Sequence, residues 1–240
     1  MDSLIYKKKK EFAEFMIRSG VLSFGDFTTK SGRKTPYFIN MGNVSTGALI
    51  SSLGSYYAGC ISQQVLEKPT VIEKPTVIEK PTVLFGPAYK GIPLVVATAI
   101  ALKSEYNQDM AYCFNRKEAK DHGEGGSLIG HQLRSGDSVL IIEDVLTAGT
   151  AVREVLPLLS SVDQVHISGL VLSVDRMERG QTDKTAIKEL YEECGIKTYP
   201  IITIREIMDI LYNVEIEGVI ALDQSNKTKM ETYLDLYCGK

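Results

Sequence analysis

Val139-Leu140-Ile141-Ile142-Glu143-Asp144-Val145-Leu146-Thr147-Ala148-Gly149-Thr150-Ala151 is the stretch on which the fold turns. Four consecutive apolar residues have the unbroken pattern of a strand buried on both faces, as in a parallel sheet. Two adjacent carboxylates follow at its carboxyl end. A short Thr/Ala/Gly/Thr loop then opens a helix expected over residues 150–160. Strand, short loop and helix make the first half of a βαβ unit.

The same alternation continues on both sides. Residues 82–85 and 110–114 read as strands, with a helix over 92–104 between them. Downstream, 165–174 is a strand, 184–193 a helix closed by Gly195, and 196–204 a last strand before a helix over 205–211. Residues 115–126 show no apolar period and read as a loop. At the N-terminus, residues 5–19 form a helix with Phe12, Phe15 and Met16 on one side and Gly20 as its stop. Residues 24–40, rich in aromatic and β-branched side chains with Ser31-Gly32 at the turn, form a hairpin. The expected architecture is α/β. A central, mainly parallel sheet is flanked by helices in one domain over 1–240, with a small N-terminal hood over about 1–45.

One feature breaks this pattern. Glu67-Lys68-Pro69-Thr70-Val71-Ile72 recurs at 73–78 and, without its last residue, at 79–83. Three copies are too few for a solenoid, and prolines at 69, 75 and 81 remove ladder donors from any central strand. The stretch reads as a tandem duplication whose last copy enters the fold and whose others loop out. The period of six is even, so the in/out alternation of the following strand is kept. Deleting residues 67–78 is accordingly expected to leave activity and dimerisation largely intact. Loss of folding in that variant, seen as an absent thermal transition, would contradict the reading.

Composition removes several function classes. With 27 Lys+Arg against 30 Asp+Glu the net charge is −3, unlike chains that coat nucleic acid or anionic membranes. Cys60, Cys113, Cys194 and Cys238 are too scattered for a zinc or redox pair and read as small buried hydrophobes in a reducing compartment. The basic run at 7–10 is followed by no apolar segment of signal type. The longest apolar stretch, 92–102, is about half the roughly 20 residues that span a bilayer. A soluble cytoplasmic protein is expected, with neither nucleic acid nor membrane as partner.

The chemistry of 143–151 is specific. A helix N-terminus offers unpaired N–H groups and the positive end of a dipole, which suits a phosphate. Gly149 permits close approach, and Thr147 and Thr150 add hydroxyls. Carboxylates beside a phosphate would repel it unless they meet hydroxyls or a divalent cation. A ribose 5-phosphate satisfies both demands, with its diol on the acids and its phosphate on the loop. An acidic N-cap before an ordinary helix would use similar residues, but two carboxylates at a buried strand's end are costly without partners. The loop is neither Gly-x-Gly-x-x-Gly nor Gly-Lys-Ser/Thr, so dinucleotide and ATPase readings lose support.

An apolar strand followed by Glu-Asp-Val-Leu-Thr-Ala-Gly-Thr resembles the phosphoribosyl-diphosphate (PRPP) signature of the type I phosphoribosyltransferase family. Three more stretches resemble its orotate-using branch: Phe85-Gly86-Pro87-Ala88-Tyr89-Lys90-Gly91-Ile92 its pyrophosphate turn, Asn115-Arg116-Lys117-Glu118-Ala119-Lys120-Asp121-His122-Gly123-Glu124-Gly125-Gly126 its mobile catalytic loop, and residues 24–38 its hood. Asp175-Arg176 and Glu178-Arg179-Gly180 extend the match to essentially the whole chain outside the repeat. The resemblance implies transfer of ribose 5-phosphate from PRPP to orotate, giving orotidine 5′-monophosphate and diphosphate in pyrimidine (UMP) biosynthesis. It implies Mg²⁺ held mainly through PRPP with no direct protein ligand, and a homodimer with shared active sites.

By residue, the resemblance implies PRPP contacts from Lys30, Tyr89, Lys90, Arg116, Lys117, Lys120, His122, Glu143, Asp144, Val145, Leu146, Thr147, Ala148, Gly149, Thr150 and Ala151. Lys117, Lys120, His122 and Asp144 would be catalytic, with Lys117 the cross-subunit contact. Phe38, Ile39, Thr147 and Arg176 would hold the base, Arg176 meeting its carboxylate through the forked guanidinium. Ile39 replaces a second aromatic and keeps only a backbone contact. A phosphoribosyltransferase for another base would share 139–151 but have no use for Arg176. A PRPP-sensing regulator would carry an added basic nucleic-acid-binding region, whereas the only basic run here is 7–10.

Overall fold

The computed structural model describes residues 3–29, 32–67, 80–117, 127–146 and 149–239. Six strands form the central sheet: β3 (Val83–Gly86), β4 (Ala111–Asn115), β5 (Leu128–Gly130), β6 (Ser138–Val145), β7 (His166–Asp175) and β8 (Thr198–Thr203). Their spatial order is β5-β4-β3-β6-β7-β8. Every neighbouring pair is parallel except β4 with β5. The last repeat copy does enter the sheet: Thr82 N donates to Ser138 O at 2.8 Å and Val83 begins β3. Residues 68–79 lie outside the described residues.

Period-two alternation sorts the sheet's side chains to two faces. Leu84, Leu140 and Ile142 join a core shared with α1 (Ser3–Arg18), α2 (Gly47–Ile61) and α3 (Gly91–Tyr106). Val83, Phe85, Val139 and Ile141 join one shared with α4 (Thr150–Leu159) and α5 (Ala186–Cys194). Apolar cover on both faces is why the strand at 139–142 carries no polar alternation. The sheet's carboxyl edge is where chain reversals gather functional groups.

The N-terminal hairpin is β1 (Leu22–Thr28) paired antiparallel with β2 (Lys34–Ile39). Three expectations need correction. The strand at 139–142 runs on through Glu143 and Asp144 to Val145, so the carboxylates lie within its last turn of pleat, not beyond it. The strand ending at Thr203 is not the last. After α6 (Ile204–Leu211) come a small hairpin, β9 (Glu215–Ile216) with β10 (Val219–Ile220), and a final helix α7 (Gln224–Tyr237). Of the cysteines only Cys60 and Cys113 are buried; Cys194 is exposed and Cys238 half-buried, and no disulfide joins them. Cys194 is the last residue of α5, at an exposed helix end where burial is not required.

Candidate active site

The carboxyl ends of β3 and β6 place two turns face to face. Glu143 and Asp144 are each only 7% exposed. Their backbone is fixed by neighbours: Tyr57 Oη donates to Glu143 O at 2.7 Å, and the Ser173 hydroxyl donates to Asp144 O. Val145 N donates to Asp144 Oδ1 at 2.8 Å, which orients that carboxylate. Burial first, and then the neighbouring Asp144 charge, push the Glu143 carboxyl up to about 8. A second full negative charge beside Asp144 is thereby disfavoured.

Lys90 supplies the opposing charge. It caps α3 directly after the turn that follows β3, and its Nζ lies 2.9 Å from Asp144 Oδ2. Its side chain is 64% exposed, so the ammonium stands at the cleft mouth, available to solvent and to a ligand. A lysine at a helix N-terminus opposes the dipole there, and the Asp144 contact offsets this. Tyr89, 65% exposed, projects beside it.

The other half of the cleft is the start of α4. Gly149 caps that helix in the left-handed conformation, φ 71°, and a Cβ there would stand 2.5 Å from Arg153 Nη1. The left-handed backbone favours glycine, while the Arg153 tip, the end of a flexible side chain, could give way. Arg153 is held by Glu193 through Nε at 3.2 Å and Nη2 at 2.6 Å. Residues 87–90, 143–146 and 149–152 with Glu154 enclose a cleft of about 420 Å³. Tyr89, Lys90, Glu143, Asp144, Val145, Leu146, Gly149, Thr150 and Ala151 thus line one cleft.

The cationic loop joins at its neck. Asn115 Oδ1 accepts from Ala88 N at 2.8 Å, fastening the end of β4 to the turn after β3. Arg116 N donates to Ser127 O at 2.8 Å, and Arg116 Nε is buried without a hydrogen-bond partner among the described residues. Lys117 Nζ stands 5.4 Å from the centroid of the Tyr89 ring, a cation–π distance. Lys30, Lys120, His122, Thr147 and Ala148 lie outside the described residues.

Phe38, Ile39 and Arg176 do not line the cleft. Phe38 is 47% exposed and stacks on Phe27, centroids 5.7 Å apart, so one ring face is open. Ile39 turns to the core. Arg176 follows β7 and lies in a half-buried network that the sequence did not announce. Its Nε donates to Tyr37 Oη at 3.1 Å and its Nη2 to Glu178 Oε1 at 2.7 Å. Tyr37 precedes Phe38 on β2, so the hairpin and Arg176 are in direct contact. The sequence signal for Glu178 was its place two residues after Arg176, and its partners at 33, 37 and 233 are visible only in three dimensions.

Comparison with known proteins agrees with this geometry. Residues 71–197, more than half the chain, match the phosphoribosyl transferase domain family. The orotate phosphoribosyltransferase of Clostridium beijerinckii is 50% identical over 97% of this chain and 98% of its own length. That of Bifidobacterium longum is 45% identical over 94% and 96%. The crystal structure of the Francisella tularensis orotate phosphoribosyltransferase superposes with a TM-score of 0.77 at 36% identity, covering 96% of this chain and all of the other. With a buried acid pair and a glycine-capped helix facing a lysine turn, and relatives of this identity spanning nearly its whole length, the chain belongs to the orotate phosphoribosyltransferase family.

Proposed function

We propose that the cleft binds PRPP and transfers its ribose 5-phosphate to orotate, releasing diphosphate and forming orotidine 5′-monophosphate for pyrimidine synthesis. The observation that carries this reading is one cleft holding a buried Glu143–Asp144 pair against a helix N-terminus capped by Gly149. The acids accept from the ribose hydroxyls, and the N–H groups at 149–151 with the Thr150 hydroxyl take the 5-phosphate. Thr147 and Ala148 belong to the same loop in sequence.

The bond from the anomeric carbon to the diphosphate oxygen breaks as the bond to orotate N1 forms, and the N1 proton is lost. Positive charge grows on the sugar, where the Asp144 carboxylate favours it. Negative charge grows on the diphosphate, which Lys90 and Lys117 would meet at the mouth, with Arg116, Lys120, His122 and Lys30 added from the family pattern. His122 is suited to proton handling near neutral pH. The exposed face of Phe38 stacks on the base, Ile39 offers backbone only, and Arg176 takes the base carboxylate.

The donor set fits Mg²⁺ in part. Glu143 and Asp144 face the cleft, but among the described residues no three His, Cys, Asp or Glu side chains converge. Mg²⁺ would sit mainly on PRPP oxygens and neutralise the departing diphosphate. The family pattern supports a cytoplasmic homodimer whose Lys117 serves the partner's cleft; within one chain Lys117 rests over its own Tyr89. No helix among the described residues is long and apolar enough to cross a membrane.

Purified protein is expected to consume orotate only when PRPP and Mg²⁺ are both present, followed by the loss of orotate absorbance. Turnover of hypoxanthine but not orotate would overturn the assignment.

A further inference from the structure

We propose that Glu178 is a positioning residue for the base half of the reaction. Its carboxylate fixes the Arg176 guanidinium and ties it to the N-terminal hairpin and to α7. This rests on the reading that Arg176 receives the orotate carboxylate.

One carboxylate gathers four donors from three parts of the chain. Arg33 Nη2 lies at 2.5 Å, Tyr37 Oη at 2.8 Å, Arg176 Nη2 at 2.7 Å and Tyr233 Oη at 2.9 Å. The Glu178 side chain is 13% exposed and that of Arg176 17%. Both guanidiniums are also packed against rings. Arg176 lies 5.2 Å from the Tyr37 centroid, and Arg33 lies 5.0 Å from Tyr237 and 5.5 Å from Tyr233. Burial alone would raise the Glu178 carboxyl, but Arg176, Tyr37 and Arg33 together hold it below its ordinary range.

The charge count is informative. Two guanidiniums share one carboxylate, which leaves one positive charge to be met. Arg33 Nε is buried with no hydrogen-bond partner among the described residues, so the arginine side also has unspent donor capacity. Buried ion clusters of this kind add little net stability over apolar packing. Their gain is geometric. A guanidinium already held at Nε and Nη2 loses little freedom when a planar carboxylate arrives. A base without that carboxylate would leave the surplus charge uncompensated, and sites built to pair a polar group reject analogues lacking it.

The test is steady-state kinetics on the whole protein with orotate and with uracil. Glu178→Gln is expected to raise the KM for orotate about tenfold and to narrow the orotate-over-uracil preference by a similar factor, the scale of one displaced charged contact. kcat and the KM for PRPP should stay within about twofold, because uniform loss of base binding leaves turnover unchanged. Tyr37→Phe, which leaves Arg176 Nε without its phenol, should act in the same direction and serves where Glu178→Gln fails to fold. In the Arg176→Ala background, Glu178→Gln should add nothing to the orotate KM, whereas a merely structural role would add. If Arg176→Ala leaves the orotate KM unchanged, the Arg176 reading itself falls, and this proposal with it. If Arg176→Ala raises it while Glu178→Gln and Tyr37→Phe do not, only the positioning role of Glu178 is overturned.

Discussion

Lys117→Ala is expected to lower kcat by about 10²-fold or more, the scale seen when one preorganised donor to developing charge is lost. Orotate affinity should change by less than about threefold, because Lys117 acts on charge that appears only as diphosphate leaves. The geometry supports this division. The neck of the loop is fastened twice, by Asn115 to Ala88 and by Arg116 to Ser127. Lys117 is the next residue out, and its ammonium stands over the exposed Tyr89 ring at the cleft mouth. Phe38 and Arg176, the proposed base contacts, belong to other elements. Rapid-quench turnover and an orotate titration separate the two quantities, and an unchanged kcat would refute the role. Mixing Lys117→Ala with Asp144→Asn protein tests the shared site. If Lys117 serves the partner's cleft, random mixed dimers each keep one intact site and restore about a quarter of wild-type activity. If each chain is self-sufficient, nothing is restored.

The part of the fold read most directly was the strand and helix around 139–151, because burial on both faces leaves a run of apolar residues that few other structures demand. The acid pair and the glycine-capped helix start came with it, since they are local in sequence. Helix α2 was missed for a physical reason. Its sequence, Gly-Ala-Leu-Ile-Ser-Ser-Leu-Gly-Ser-Tyr-Tyr-Ala-Gly-Cys-Ile, has low intrinsic helix propensity. The small residues are there because α2 and α3 approach closely: a Cβ on Gly54 would lie 2.7 Å from the Ala97 carbonyl carbon. Helix α7 is mostly polar and buries only Met230, Tyr233 and Leu234, so its period is faint. β5, three residues long and antiparallel, is too short to signal itself. Glu178 shows the same limit at the site, for its partners Arg33 and Tyr37 lie 145 and 141 residues away.

Asp144→Asn is expected to reduce kcat/KM for PRPP by about 10²- to 10³-fold, since it removes a fixed negative charge beside the carbon that becomes cationic. The substitution is clean structurally. Asn keeps an oxygen for Val145 N, and Lys90, already largely exposed, is rehydrated at little cost. The melting temperature should therefore shift little while activity collapses. Glu143→Gln separates the two acids. The Glu143 carboxyl is pushed up to about 8 in the folded chain, by burial first and Asp144 second. The folded protein thus keeps a proton that the unfolded chain gives up from the ordinary glutamate range upward. Stability from this group is full below that range and falls as pH rises toward about 8, by an amount on the order of a few kcal/mol. Glu143→Gln should flatten that slope and melt later than wild type near pH 8, even though it loses a ribose contact. PRPP hydroxyls favour the ionised acid, so binding near neutral pH should release a proton, detectable as a buffer-dependent binding enthalpy that Glu143→Gln abolishes. An Asp144→Asn protein that still turns over at near wild-type rate would remove Asp144 from the mechanism.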